Sequence, residues 1–331
     1  MSNAPLVTIC SVYYSQHSKK LLEENYRFTK QRNRTPFTWI AADNSPDEAQ
    51  IKLEIPIETY RFMSLSKFQE TLPESLRPIL SFHHSGALNM LKDKVKTRYF
   101  ISLDPDFYIV RPEWIEQMVT HMQKHELAML GASWHPRWWK KKRYFPTQPA
   151  IMVDLEKIQA SELDFSPAYT ADNPRPKFGP KILWALNRIP GVNRLTGPIL
   201  RRMSIGTSLD TSYKLMERFM DGYVVECIPG AFIPSEDSIF HQTFISRFLD
   251  GVLPDKYSYV PKKKGYFSSL HFRDFLLPDT AILGWEEFMW ADDSQQLEQP
   301  FGFHLRSSRV DKRDYEKEYD LLKDILKKIV S

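Results

Sequence analysis

Hydrophobic and polar residues alternate along the first 135 residues in blocks whose lengths suit strands and helices in turn. Short runs rich in β-branched and aromatic residues, such as LVTICSVYY at residues 6–14 and FTWIAADNSP at residues 37–46, predict buried strands. Longer segments with apolar residues three or four positions apart predict amphipathic helices at residues 18–33, 75–95 and 112–127. This alternation favours an α/β fold with a mostly parallel central sheet that is flanked by helices.

The pattern loses its regularity after residue 135 and recovers it twice. Residues 166–207 are rich in proline, arginine and glycine and show little periodicity. Residues 209–229 predict a helix that stops at Gly222 and leads into a strand. Residues 309–330 predict an amphipathic C-terminal helix, with Tyr319, Leu322, Ile325 and Ile329 on one face.

Composition describes an ordinary globular protein and excludes several classes. Of 331 residues, 42% are hydrophobic and 26% are charged, and the net charge of +4 does not indicate a nucleic-acid binder. Two cysteines, Cys10 and Cys227, cannot build a disulfide framework, so we expect a reducing compartment. We expect neither a transmembrane helix nor a signal peptide. The G-x-G-x-x-G turn of dinucleotide-binding oxidoreductases is absent from the sequence.

Two aspartates interrupt the apolar run YFISLDPDFYIV at residues 99–110. Asp104 and Asp106 stand one residue apart, with a proline between them. Carboxylates within about 6 Å raise each other's proton affinity unless a cation neutralises them. Mg²⁺ or Mn²⁺ does so and keeps coordination positions for substrate phosphates. A solvated turn is the alternative interpretation, because aspartate and proline both form turns.

A second acidic turn follows the strand predicted at residues 37–42. It contains Asp43 and continues with asparagine, serine and proline. Ligands of parallel α/β sheets bind beyond the carboxyl ends of the strands. We therefore expect Asp43 to share one crevice with Asp104 and Asp106.

The order of these elements resembles that of GT-A fold, nucleotide-sugar-dependent glycosyltransferases, most closely the inverting family 2. IAADNSP is similar to the turn that holds the nucleotide base in that family, which makes Asp43 the candidate base contact. ISLDPDF is similar to its D-x-D motif. The resemblance implies that Asp104 lies near the ribose and that Asp106 binds the Mn²⁺ or Mg²⁺ ion that bridges the donor diphosphate. It covers residues 7–134 well and residues 205–271 moderately.

The resemblance also implies a catalytic base. In the family an acidic pair opens a helix that ends at a glycine before a strand, and residues 209–229 have that shape. Asp210 would then remove the acceptor proton, although Leu209 stands where the family usually has glutamate. Asp237, in the intact pair Glu236-Asp237, is the alternative. Helix N-capping accounts for either aspartate without catalysis.

Other candidates lie later in the chain. The resemblance implies that His271, in YFSSLHFRDF, is a further metal or phosphate ligand, and a hydrogen-bonded core histidine is the alternative. WHPRWWKKKRYFP, at residues 134–146, offers Trp138 and Trp139 for stacking on sugars and Arg143 for phosphates of an acceptor. This mixture also suits a membrane interface, and a solvated loop is the alternative.

Together these features predict a metal-dependent glycosyltransferase of polysaccharide biosynthesis, with a UDP-, GDP- or dTDP-linked donor and a glycan or lipid-linked acceptor. We expect it in the cytoplasm, with peripheral contact at the inner face of the membrane left open. Residues 1–135 would bind the donor, residues 136–275 would bind the acceptor and carry the base, and residues 276–331 would form a C-terminal helical extension. A non-catalytic sugar-nucleotide-binding pseudoenzyme or assembly subunit is the alternative that Leu209 leaves open.

Overall fold

A computed structural model gives the fold of most of the chain. It describes residues 4–47, 50–72, 74, 77, 80–136, 145–167, 211–220, 222–232, 267–291, 298–306 and 315–330. Ten strands lie within these ranges: β1 Val7–Tyr13, β2 Phe37–Asp43, β3 Glu58–Arg61, β4 Tyr99–Leu103, β5 Phe107–Ile109, β6 Met129–Ala132, β7 Ala150–Asp154, β8 Val225–Ile228, β9 Glu286–Trp290 and β10 Gln299–His304. The α-helices are α1 Gln16–Arg32, α2 Leu65–Glu70, α3 Leu80–Lys92, α4 Trp114–Lys124, α5 Tyr213–Phe219 and α6 Tyr315–Val330.

Seven strands form the central sheet, in the order β3-β2-β1-β4-β7-β6-β8. β1 pairs in parallel with both β2 and β4, whereas β7 runs antiparallel to both of its neighbours. β1, β4 and β7 are buried along their whole length, as expected for strands covered on both faces. The predicted α/β class and the mostly parallel central sheet are therefore confirmed.

Helices cover both faces of this sheet. On one face, apolar side chains of α1 and α4, including Leu22, Ile115 and Met118, pack with Val7 and Ile101 of the sheet. On the other face, α3 and α5 pack against alternate residues of the same strands, because successive side chains of a strand point to opposite faces. Apolar residues recur about every 3.6 positions along these helices, so they lie on the side of each helix that faces the sheet and form these two apolar layers.

Close packing of the strands leaves no room for a side chain at Gly131 in β6. A Cβ atom at this position would lie 2.3 Å from the carbonyl oxygen of Ala150 and 2.7 Å from the Cα atom of Ile151. Since both atoms belong to the backbone of the neighbouring strand, they cannot move aside without disturbing the ladder. A glycine is therefore required where β6 meets β7.

A second sheet of three antiparallel strands has the order β5-β10-β9 and was not predicted from the sequence. Phe107 and Ile109 of β5 face the core that contains Leu22 and Met118. Tyr108 and Val110 face a separate cluster that also contains Leu322 of α6. Because this sheet is buried on both faces, it ties the C-terminal residues to the centre of the molecule.

The C-terminal helix predicted at residues 309–330 is confirmed as α6. Leu322 and Ile325 are buried, and Tyr319 and Ile329 pack against the same cluster. The two strands β9 and β10 precede α6, so the last 56 residues contribute sheet as well as helix. The helix predicted within residues 209–229 begins at Tyr213 and ends at Phe219, and β8 follows it.

Candidate metal centre

The central sheet changes its direction of growth between β1 and β4. β2 and β3 extend it on one side of β1, whereas β4 lies on the other side. The loops after two such parallel strands diverge and leave a crevice at their carboxyl ends, where α/β proteins bind ligands. β1 ends at Tyr13 and β4 ends at Leu103, immediately before Asp104. The Asp-Pro-Asp sequence therefore lies at the edge where the fold favours a binding site.

Neighbouring elements hold the Asp-Pro-Asp turn by its backbone. The side-chain amide of Asn25, buried in α1, donates to the carbonyl oxygen of Pro105 at 3.3 Å. The backbone N–H of Leu305, just after β10, donates to the carbonyl oxygen of Asp106 at 3.0 Å. Because these contacts come from two parts of the chain that are distant in sequence, the turn is a fixed element and not a freely solvated loop.

Asp104, Asp106 and His304 form a group that could hold a metal ion. One ligand atom of each residue lies within 4.8 Å of the other two, and His304 Nε2 is 3.3 Å from Asp106 Oδ1. The Asp106 side chain is 12% exposed and that of Asp104 is 22% exposed, so the group faces solvent through Asp104. Two carboxylates and one imidazole are ligands that Mn²⁺ and related divalent ions accept, and the donor set therefore fits such an ion.

Further charged residues continue from His304 into the protein. His304 Nδ1 lies 3.2 Å from Oε2 of Glu286, and Nε of Arg306 donates to Oε1 of Glu286 at 3.0 Å. The guanidinium of Arg306 lies over the ring of Trp134, 5.1 Å from its centroid. Negative and positive groups thus alternate from Asp106 through His304 and Glu286 to Arg306.

This arrangement changes the proton affinities of the ligands. Burial raises the pKa of Asp104 to about 7, and the Asp106 carboxylate adds to the increase while His304 and Arg306 oppose it. Burial disfavours the charged form of His304, but Asp106 and Glu286 outweigh it and raise the pKa of His304 to about 9. Near pH 7, Asp104 is therefore partly protonated and His304 is a cation. A divalent cation in this group would replace protons that the side chains already hold.

His84 of α3 faces the same edge. Its Nε2 atom lies 3.7 Å from Oδ1 of Asp104, and its side chain is 27% exposed. Burial, assisted by the adjacent His83, lowers the pKa of His84 to about 4, so this imidazole is neutral near pH 7. A neutral imidazole beside Asp104 can donate or accept one hydrogen bond, which suits contact with a bound hydroxyl group.

Asp43 lies at the end of β2, at the edge of the sheet where it was predicted. Its side chain is 2% exposed and pairs with Nη1 of Arg61 at 2.8 Å. Its other oxygen accepts the backbone N–H of Ser45 at 2.8 Å. Both carboxylate oxygens therefore hold the turn after β2 together, and contact with a nucleotide base stays a prediction.

His271 lies apart from the Asp104, Asp106 and His304 group. It is 4% exposed, and its Nδ1 atom is 3.0 Å from Oε2 of Glu287. Glu287 follows Glu286 in β9, and successive side chains of a strand point to opposite faces. His271 and His304 thus contact opposite faces of the same strand, and the role of His271 as a metal ligand stays a prediction.

His304 was not predicted from the sequence. Simple alternation would place Phe301 and Phe303 on one face, but the register shift between Pro300 and Gly302 puts them in different apolar clusters. The pattern FGFH at residues 301–304 therefore carries no clear signal for His304. The other predicted site residues, Asp210, Asp237, Trp138, Trp139 and Arg143, lie outside the residues that the structure describes.

Searches of known proteins returned structural similarities alone. No family model matches the chain, and no curated protein matches it. Within the described residues, no helix is long and apolar enough to span a membrane.

The chain is similar to several solved glycosyltransferase structures. Residues 1–349 of Staphylococcus aureus TarS, in complex with UDP-GlcNAc, are 12% identical, with 48% of each chain covered and a TM-score of 0.32. The galactosyltransferase LgtC, in complex with donor and acceptor sugar analogues, is 11% identical over 45% of this chain and 58% of its own, with a TM-score of 0.31.

The mannosyltransferase PcManGT from Pyrobaculum calidifontis, in complex with GDP-Man and Mn²⁺, is also similar. It is 13% identical over 68% of this chain and 57% of its own, with a TM-score of 0.32. The chain spans between 48% and 58% of the length of these three structures. Similarity at this level does not establish the family or the activity of the chain.

Proposed function

We propose that this protein is a metal-dependent glycosyltransferase of the GT-A type, most similar to family 2. It would transfer a sugar from a nucleotide-diphosphate donor to a hydroxyl group of a glycan or lipid-linked acceptor, with inversion. The observation that carries this proposal is the group formed by Asp104, Asp106 and His304 at the edge of the sheet between β1 and β4. An oxygen- and nitrogen-donor site in that crevice suits a divalent ion and a diphosphate together.

The three ligands have different parts in this proposal. Asp106 and His304, both largely buried, would hold a Mn²⁺ or Mg²⁺ ion, and the more exposed Asp104 would complete the ligand set on the side that faces the ribose. When bound, such an ion supplies electrostatic stabilisation for the charge that develops on the leaving diphosphate. His84, neutral and 3.7 Å from Asp104, is positioned to bind a donor hydroxyl group beside it.

The nucleotide base would extend from this centre toward the end of β2. β2 pairs with β1 through the whole of β1, so the Asp43 turn lies one strand away from the β1 crevice. A UDP-, GDP- or dTDP-linked sugar would then lie along the carboxyl ends of these strands. Contact with Asp43 itself is proposed from the sequence resemblance.

The acceptor side of the reaction is proposed from the sequence. The acceptor hydroxyl is a poor nucleophile near neutral pH, and a carboxylate that takes its proton lowers the barrier. Asp210 is the proposed base, with Asp237 as the alternative. Trp138, Trp139 and Arg143 are proposed to bind the acceptor, and the same residues would make peripheral contact with a membrane surface.

The proposed setting is the cytoplasm, at or near the inner face of the membrane, in polysaccharide biosynthesis. Cys10 and Cys227 are both free and buried, and free thiols persist in a reducing compartment. A mildly basic chain with a tryptophan- and lysine-rich segment also suits acceptors that carry phosphate.

Donor turnover tests the proposal. UDP-, GDP- and dTDP-sugars would be incubated with the protein and Mn²⁺, and release of the nucleoside diphosphate would be measured. We expect release from one nucleotide class, with a rate that falls about 100-fold or more in Asp106→Asn. Asp93→Asn is the matched control, because Asp93 has a 62% exposed side chain and lies outside the group.

Two other outcomes have definite meanings. Metal-dependent donor binding through Asp106 without any turnover would favour the non-catalytic sugar-nucleotide-binding alternative. Turnover that is unaffected by Asp106→Asn would contradict the assignment of the site.

A further inference from the structure

Two adjacent glutamates in β9 each hold a histidine, yet they have different surroundings. Glu286 and Glu287 are both 1% exposed and point to opposite faces of the strand. Burial of a carboxylate is costly unless hydrogen bonds or opposite charges compensate for it. The groups that compensate each carboxylate therefore indicate its role in the protein.

Glu287 stabilises the chain between β8 and β9. It accepts hydrogen bonds from backbone N–H groups and a hydroxyl group of one loop and lies beside His271. These partners are Phe272 N at 2.9 Å, Thr280 N at 2.9 Å, Thr280 Oγ1 at 2.7 Å, Ala281 N at 3.1 Å and His271 Nδ1 at 3.0 Å. This carboxylate closes a loop, which is a structural role.

Glu286 instead contacts side chains at the candidate metal centre. Its two oxygens lie 3.2 Å from His304 Nδ1 and 3.0 Å from Arg306 Nε. The register of the small sheet places His304 directly opposite Glu286, which brings the two side chains together. Glu286 thus contacts one of the three potential ligands from the side that faces away from Asp106.

The contact between Glu286 and His304 determines which imidazole nitrogen is available. An imidazole has two ring nitrogens, and a carboxylate at Nδ1 keeps the proton on that atom. Nε2, which is 3.3 Å from Asp106, is then the atom whose lone pair can bind a metal ion. Carboxylates in this position orient ligating histidines and increase their basicity.

Arg306 holds Glu286 in this position. It adopts a backbone φ of 59°, a left-handed conformation that residues other than glycine rarely adopt. Its guanidinium both donates to Glu286 and lies over the ring of Trp134, in the segment after β6. The orientation of His304 is therefore supported from two sides, by the register of β9 with β10 and by this arginine.

We infer that Glu286 is a positioning residue that fixes His304 as a nitrogen ligand. The centre therefore binds divalent ions that accept an imidazole ligand in preference to Mg²⁺. This inference rests on the proposed function in one respect, which is that Asp104, Asp106 and His304 bind a divalent ion. Imidazole favours transition-metal ions such as Co²⁺, whereas Mg²⁺ prefers oxygen ligands. A loss of nitrogen ligation should consequently reduce Co²⁺ binding more than Mg²⁺ binding.

Calorimetric titration with Co²⁺ and with Mg²⁺, each alone, tests the inference. In Glu286→Gln we expect the affinity for Co²⁺ to fall about 10- to 100-fold, with a much smaller change for Mg²⁺. The amide oxygen can accept from His304 or from Arg306 but not from both, so the imidazole loses its fixed orientation. Addition of Glu286→Gln to His304→Ala should have little further effect on Co²⁺ affinity, because the two residues act through one contact.

Glu287→Gln is the matched control. It changes the neighbouring residue, with the same burial and the same chemistry, on the opposite face of β9. We expect it to lower the melting temperature and to leave the ratio of Co²⁺ to Mg²⁺ affinity unchanged. If Glu286→Gln does not fold, Glu286→Asp keeps the charge, withdraws the oxygen from Nδ1 and carries the same expectation.

The possible results separate the inference from the proposed function. Co²⁺ binding that Asp106→Asn abolishes, but with a selectivity ratio unchanged in Glu286→Gln, would overturn the inference and leave the metal centre in place. Absence of Co²⁺ binding to the wild-type protein, or binding that Asp106→Asn does not affect, would overturn both.

Discussion

At the scale of single residues, Asp104 and His304 have raised pKa values for opposite reasons. Burial and the charge of Asp106 disfavour ionised Asp104, whose pKa rises to about 7. The carboxylates of Asp106 and Glu286 favour protonated His304 in spite of burial, and its pKa rises to about 9. In both cases the folded protein holds a proton near neutral pH that the unfolded chain would release more readily.

These shifts predict that metal affinity depends on pH. A metal ion must displace the protons of Asp104 and His304, so we expect the apparent affinity for Mn²⁺ to increase as the pH rises from 6 to 9. The increase should be steepest below pH 7, where metal binding displaces a proton from both groups, and should continue less steeply to about pH 9, where it displaces a proton from His304 alone. Titration calorimetry in buffers of different ionisation enthalpy would also detect the released protons. An affinity that does not change over this range would contradict the assignment of these residues as ligands.

The two late histidines show why the third potential ligand could not be identified from the sequence. His271 and His304 both lie in apolar runs, and an arginine follows each two positions later. Each also lies beside a glutamate of the pair Glu286-Glu287. Only His304 lies in a strand that pairs with β9, where the register places it opposite Glu286, and this pairing is a tertiary property that local sequence does not encode.

At the scale of elements, α6 gains its stability from tertiary packing. Its apolar residues Leu322 and Ile325 lie against a cluster that also contains residues of α1 and of the small sheet. The opposite face of α6 carries lysines and acidic residues, which suit solvent. An isolated helix of this length is marginal in water, so the buried stripe holds it in place.

Two neighbouring leucines of α6 provide a direct comparison. Leu322 is fully buried, whereas Leu321 is 39% exposed. We expect Leu322→Ala to lower the free energy of unfolding by about 2–5 kcal/mol, because it removes buried contacts and leaves a cavity. Leu321→Ala should change it by about 0.5 kcal/mol or less. Urea unfolding measures both variants, and equal losses would contradict the observed orientation of the helix.

The sequence predicted strongly periodic elements well and short polar ones poorly. β1, β2 and β4 are mostly apolar because helices cover both faces, and such runs are easily recognised. β9 begins with two glutamates and β10 contains a proline and a glycine, which weakens any strand pattern. β10 pairs with both β5 and β9, and this pairing stabilises the strand conformation of β9 and β10.

At the scale of the whole molecule, the candidate centre joins parts of the chain that are distant in sequence. Asp104 and Asp106 follow β4 of the central sheet, whereas His304 ends β10 of the small sheet. β5 connects the two, because it follows Asp106 directly and pairs with β10. The aspartates could be recognised from the sequence because they interrupt an apolar run, but their partner depends on the pairing of residues about 200 positions apart.

Calorimetric titration of UDP, GDP and dTDP, with Mn²⁺ and with EDTA, tests the central claim most directly. It would compare the wild-type protein with Asp106→Asn and with the surface control Asp93→Asn. We predict that one nucleoside diphosphate binds in the presence of Mn²⁺. Its affinity should fall about tenfold or more when EDTA replaces Mn²⁺ or when Asp106 is changed to asparagine, and should not change in Asp93→Asn. Equal binding with EDTA and in Asp106→Asn would mean that the Asp-Pro-Asp sequence is only a turn. No binding of any diphosphate would contradict the glycosyltransferase proposal.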